Sequence, residues 1–225
     1  MKLKFALAIA LICTSAIADR QTFTPVDQAD RDATLVSFRA ELLAKIQARD
    51  IDAVVASACP DIYLSHGGEG GPNELRANLI MNSEGADQQV GVEASEQIDA
   101  YWTALQNTLS QPGYFDDQGE FWMPHQWQIT LPARLDPAIT YFVTGENVSL
   151  RTGAFQGASI SALISHEVVI VPQFQSDSDY QQVLLTDGTT GFMHKDYLWS
   201  MIGYRAAIVK SEDGDWQLCS FVTGD

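Results

Sequence analysis

The chain has 225 residues, with 13 Lys+Arg against 29 Asp+Glu and a formal net charge of -16. So acidic a surface excludes nucleic acid and anionic lipid as partners, because both are held by basic residues. With 46% hydrophobic and only 19% charged residues, the chain is not a disordered acidic tail and is long enough to bury a sizeable core.

Residues 1–18 read as a secretory signal peptide. Lys2 and Lys4 form its positive start, and Phe5 to Ile12 is an apolar run too short to span a bilayer. Ala16-Ile17-Ala18 is a cleavage site, which places the mature start at Asp19. Cys13 is preceded by Ile12 rather than by the small residue that lipid attachment requires. No later apolar run approaches the length of a membrane span, so the expected location is the periplasm or the exterior, without a span after cleavage. Cys59 and Cys219 then remain as the cysteines of the mature chain. An oxidising compartment invites a disulfide between them, which would lay the two ends of the chain side by side. Two buried free thiols are the alternative.

Asp32 to Asp50 is the clearest helix. Leu35, Phe38, Leu42, Leu43 and Ile46 form one apolar stripe, with Arg39, Glu41, Lys45 and Gln47 opposite. A short helix from Asp50 ends before Pro60, and Ile62-Tyr63-Leu64 is a strand candidate. The glycine-rich turn His66-Gly67-Gly68-Glu69-Gly70-Gly71-Pro72 follows, then helical segments from Asn73 and from Glu93 to Leu109. Residues 114–140 are aromatic and irregular. From Tyr141 the pattern changes to short strands separated by turn residues, the signature of a small barrel. Tyr204 to Lys210 and Trp216 to Val222 read as a closing hairpin around Asp213-Gly214.

Residues 143–199 resemble a bacterial SH3 domain of the kind found in exported proteins. Val143-Thr144-Gly145-Glu146-Asn147-Val148-Ser149-Leu150-Arg151 matches its opening strand, and Val168-Val169-Ile170-Val171 the strand after its first long loop. Gly188-Thr189-Thr190-Gly191-Phe192-Met193 with Tyr197-Leu198 matches its closing turn. Tyr180 stands where the family has Trp, Ser149 where it has Asn, and no proline follows Gly153. The flanking segments resemble, in pattern only, an NTF2-like α+β domain. The resemblances imply an α+β fold: residues 27–140 plus 200–225 as an α+β domain, with a small SH3-like β-barrel over 143–199. The C-terminal hairpin needs a sheet to join and is expected to join the N-terminal domain. A helical domain packed on an enlarged barrel is the alternative.

The SH3 resemblance implies a peptide, peptidoglycan fragment or envelope protein as partner, bound across Tyr180, Phe192, His194, Tyr197 and Trp199. Asp177, Asp179, Asp187 and Asp196 would favour a ligand with amines. His66 and Glu69 form a second candidate loop, because glycines let a ligand approach and His with Glu can act as base. A plain exposed turn is the competing reading there. His125, between Trp122 and Trp127, reads as a packed residue. No metal-ligand spacing, phosphate-binding loop or nucleophile elbow occurs, so no metal, cofactor or catalytic residue is expected. The leading expectation is an exported non-catalytic binding protein. The alternative is a small enzyme or ligand carrier with a pocket in the NTF2-like part, near His66 and Glu69 or Trp102 and Trp122.

Overall fold

A computed structural model describes residues 20–80 and 88–224. The signal-peptide segment lies outside the described residues. The fold is mixed α+β, with four α-helices and two sheets among the described residues.

The first unit begins with α1 (Ala33–Gln47), α2 (Ile51–Val55) and β1 (Ala58–Tyr63). Asp32 caps α1 by accepting from the Thr34 and Leu35 amides, and Leu35, Leu42 and Ile46 form its buried stripe. Asp50 caps α2 in the same way through Ala53. Next come α3 (Gly71–Ile80), α4 (Gln88–Leu109), β2 (Tyr114–Phe115) and β3 (Phe121–Met123). The irregular aromatic stretch therefore contains two strands. They are too short to show a period and exist because β3 pairs with a strand from the far end of the chain.

That strand is β11 (Arg205–Lys210), which turns at Gly214 into β12 (Trp216–Val222). The five-stranded sheet runs β1-β12-β11-β3-β2, with β1 parallel to β12 and the other pairs antiparallel. Pro60 is tolerated because β1 is an edge strand. The C-terminal hairpin thus sits in the middle of a sheet begun by the N-terminal segment. The helices cover one face and bury Leu75, Leu79, Trp102, Leu105 and Leu109 against Phe121, Ile208, Leu218 and Phe221. Trp216 Nε1 donates to Thr34 Oγ1 at 2.9 Å, tying β12 to α1. Cys59 and Cys219 form a disulfide between β1 and β12, with Cα atoms 4.9 Å apart.

Between β3 and β11 lies the second sheet. It comprises β4 (Thr140–Val143), β5 (Val148–Arg151), β6 (Ile160–Ile164), β7 (Val168–Ile170), β8 (Tyr180–Leu185), β9 (Thr190–His194) and β10 (Leu198–Ser200). Its order is β10-β4-β7-β8-β9-β5-β6. The sequence leads to the expectation of a closed barrel, and the structure differs. Strands β10 and β6 are the two edges, and neither has a registered partner on its outer side. The sheet nevertheless wraps one core, since Val143, Leu150, Ile164, Val169, Val183 and Met193 come from six different strands and meet. Strand β6 pairs only with β5, and the turn through left-handed His166 (φ 51°) carries the chain from that edge to β7, which lies between β4 and β8. The sheet curls around its core without closing, because β10 and β6 do not come into register.

A third, smaller core packs the segment between β3 and β4 against the second sheet. Phe142 and Val168 of the second sheet meet Leu135 there, with Phe23, Ile129, Leu131 and Met201 packed around them. The N-terminal strap contributes directly. Thr22 bridges Glu167, and Arg20 donates to both Glu167 carboxylate oxygens at 2.6 and 2.7 Å. Arg205 stacks over Trp127, its guanidinium carbon 4.0 Å from the ring centroid.

Candidate functional site

The cleft on the second sheet begins with a pairing that stops early. Strands β5 and β9 register at a single pair, Arg151 with Phe192. Gly191 makes that approach possible: a Cβ there would lie 2.6 Å from Leu150 Cγ and 2.9 Å from the Arg151 carbonyl oxygen. Towards Val148 and His194 the two strands have no registered pair, and a cavity of about 320 Å³ opens there. Its lining comes from the turn Glu146–Asn147, from Val148, Ser149 and Arg151 of β5, from Gln156, and from Tyr180, His194, Asp196 and Tyr197.

Local sequence explains each wall. Along β5, Val148 and Leu150 point into the core, so the pleat turns Ser149 and Arg151 outward. Tyr180 is registered opposite His194, and their rings meet edge to face at 5.1 Å. Asn147 takes a left-handed conformation (φ 53°), which Asn tolerates, and so tightens the turn before β5. Gly145 leaves room for Tyr197, whose ring would sit 3.3 Å from a Cβ at that position. Tyr197 reaches the cleft from the 3-10 turn Lys195–Tyr197 and stands 6.4 Å from His194, ring to ring.

The charges are of both signs. Arg151 Nη1 donates to the Ala158 carbonyl at 2.8 Å, which fixes the guanidinium at the wall. Glu146 and Asp196 are well exposed at the rim, with Glu146 3.8 Å from His166 Nε2 and Asp196 3.4 Å from His194 Nδ1. Lys195 pairs with Asp179 at 3.0 Å, and that hydrogen bond holds the Asp179 carboxyl below its ordinary range. A second basin of about 550 Å³, lined by Ala154 to Gln156, Asp177 to Tyr180 and His194, adjoins the first.

Three of the five aromatic or histidine positions singled out in the sequence therefore share one cleft: Tyr180, His194 and Tyr197. Phe192 does not line it, because it sits at the closed end of the β5–β9 contact, opposite Arg151 and Gln182. Trp199 faces elsewhere. It lines crevices towards the first unit, with Trp127 and Arg205 on one side and with Asn107 of α4 and Gln111 just after it on another. Among the acidic residues, Asp196, Asp177 and Asp179 border the two basins, whereas Asp187 caps a turn by accepting from Thr189. Sequence reasoning missed Glu146, Ser149, Arg151 and Gln156. Alternation along β5 carried a signal for Ser149 and Arg151.

The glycine loop is a turn that leaves His66 and Glu69 exposed. His66 Nδ1 pairs with Tyr63 Oη at 2.7 Å, and both residues are exposed. The loop's organiser is Glu74 of α3, which accepts from Ser65 Oγ at 2.8 Å and from the Gly70 amide at 2.6 Å. Glu69 is exposed. Trp102 is buried in the core and donates to the Leu79 carbonyl, and Trp122 donates to Asp116 and Glu120. His125 is part of the packed junction, where burial lowers its pKa. Among the described residues, no three or more His, Cys, Asp or Glu side chains come together as a metal site.

No family model, no curated protein and no solved structure matches the chain.

Proposed function

We propose that the protein is an exported, non-catalytic binding protein. Its second sheet serves as an SH3-like module, and a peptide, cell-wall fragment or envelope protein is held in the β5–β9 cleft. The observation that carries this reading is the meeting of Tyr180, His194 and Tyr197 on one cleft with Ser149, Asn147 and Arg151. The lining is mostly charged, amide and hydroxyl side chains around the two tyrosines, more polar than a usual small-molecule pocket and suited to a polar, extended ligand such as a peptide. The volume, about 320 Å³, lies at the low end for such sites and suits a short segment rather than a large cofactor. The opposite reading, a small enzyme or carrier centred on the first sheet, is less well supported. Its aromatic candidates are committed to the core or to carboxylate partners, and its His66 loop faces outward.

The test is a titration of isotope-labelled mature protein with soluble wall fragments and short peptides, followed by backbone amide shifts. Shifts at residues 146–151, 180 and 192–197 are expected. Tyr180→Ala with Tyr197→Ala should weaken binding at least tenfold while leaving the spectrum folded. Shifts confined to the first unit would overturn the reading.

A further inference from the structure

We infer that the cleft selects a basic peptide segment, taking a lysine or arginine side chain between Glu146 and Asp196 over the rings of Tyr180 and Tyr197. The inference rests on the binding reading above and specifies its ligand. Three observations meet at this place.

The first is the shape of the floor. Tyr180, His194 and Tyr197 stand in successive edge-to-face contacts rather than a flat stack, and all three line the cleft. A cation within about 6 Å of an aromatic ring face is attracted by the ring quadrupole. The second is the balance of charge across the two basins. Glu146, Asp196, Asp177 and Asp179 border them, against Arg151 and Lys195. Lys195 is taken up by Asp179, so Glu146 and Asp196 are the carboxylates left facing the tyrosines. Both are more than 70% exposed as side chains, at 74% and 72%, and each has only a histidine beside it, His166 at 3.8 Å and His194 at 3.4 Å, so both remain open to a ligand from solvent. The third is the wall made by Arg151, Ser149, Asn147 and Gln156. These supply amide-like donors and acceptors, and Arg151 supplies donors beyond the one given to Ala158, which suits backbone carbonyls. A free polyamine would have no use for that wall. The two basins share Gln156, Tyr180 and His194, so a segment of several residues can continue from one into the other.

Because the whole chain carries -16, a basic peptide would also be drawn to it without any site. The experiment must separate the two effects. The probe is a blocked pentapeptide, acetyl-Gly-Lys-Gly-Lys-Gly-amide, compared with the same peptide carrying acetylated lysines. Calorimetry and amide shifts are recorded on wild type and on Glu146→Gln with Asp196→Asn. The expected result is at least fivefold tighter binding of the unmodified peptide, with shifts centred on Tyr180 and Tyr197. The preference should fall below twofold in the double variant and weaken as salt is raised. Equal binding of both peptides at the cleft would overturn the charge selection and leave the binding reading standing. A lysine preference that survives the double variant would assign the attraction to general surface charge and overturn the inference. If wall fragments shift the cleft and neither peptide does, the inference fails alone. If nothing shifts it, both fail.

Discussion

Replacing Cys59 and Cys219 together by Ala tests the architecture at its most non-local point. The bridge closes 160 positions of chain. In the loop-entropy relation a closure of that size removes about 17 cal/mol/K from the unfolded chain, about 5 kcal/mol at 25 °C. The second sheet lies inside the loop, and the chain enters and leaves it side by side, because Ser200 of β10 is registered with Tyr141 of β4. If it stays folded while the first unit unfolds, the effective loop shortens to about 100 residues and the figure falls only to about 4.7 kcal/mol. The estimate is therefore insensitive to whether the units unfold together. Measured effects fall short of the ideal, so a loss of about 3–5 kcal/mol is expected. With a urea slope of about 2 kcal/mol/M this is a midpoint shift of about 2 M. Tryptophan fluorescence reports it, since Trp102, Trp122 and Trp216 all belong to the first unit. Alkylation of unfolded, unreduced wild type should find no free thiol at these positions. A shift below about 0.5 M, or two free thiols, would refute the reasoning.

Gly191→Ala places a methyl 2.6 Å from Leu150 Cγ and should cost at least about 2 kcal/mol, with amide signals lost across the second sheet first. Unchanged signals there would mean that β9 can move away from β5. Glu167→Gln removes the charge that Arg20 grips. Glu167 is buried but Arg20 is partly exposed and can rehydrate, so a loss of about 1–2 kcal/mol is expected. The change should appear as faster hydrogen exchange at Phe23 and Val168, whose amides bond across the strap. His125 is held below its ordinary pKa by burial, and its Nδ1 has no partner among the described residues. The unfolded chain therefore binds that proton more readily, and stability should fall as pH drops below about 6.5. His125→Leu should flatten that slope, and an unchanged slope would refute the assignment. At the other extreme, burial raises Tyr101, Tyr114 (to about 12) and Tyr204, so the first unit should lose stability as pH rises above about 10.

Most of what could be read in the sequence was local, apart from the expectation that the closing hairpin joins the N-terminal segment, which needed only a hairpin with no sheet of its own. Asp32 and the stripe of Leu35, Leu42 and Ile46 define α1 within a few turns, and Asp213-Gly214 defines the hairpin within one turn. Strands β2, β3 and β10 carry no period of their own. They become strands through pairing with residues far away, as Phe121 does with Ile208 and Trp199 with Phe142. Whether the second sheet closes was likewise beyond local pattern, because it depends on whether β10 and β6, the two ends of the sheet, come into register. Pleat parity governs the site in the same way. His194 and Phe192 point to the same face, but the Arg151–Phe192 contact shuts the sheet at one of them and the splay opens it at the other.

The position of Asp196 links the cleft to the rest of the molecule. It borders the β5–β9 cavity on one side, and on the other a crevice shared with Lys195, Trp199, Thr144, Asn107 of α4 and Gln111 just after that helix. On the proposed binding reading, Trp199, although absent from the cleft, would meet a segment that leaves it over Asp196, and so would the amide side chains of Asn107, near the C-terminal end of α4, and of Gln111 just after it. Since α4 packs on the five-stranded sheet, a longer ligand would then touch the first unit as well as the second sheet.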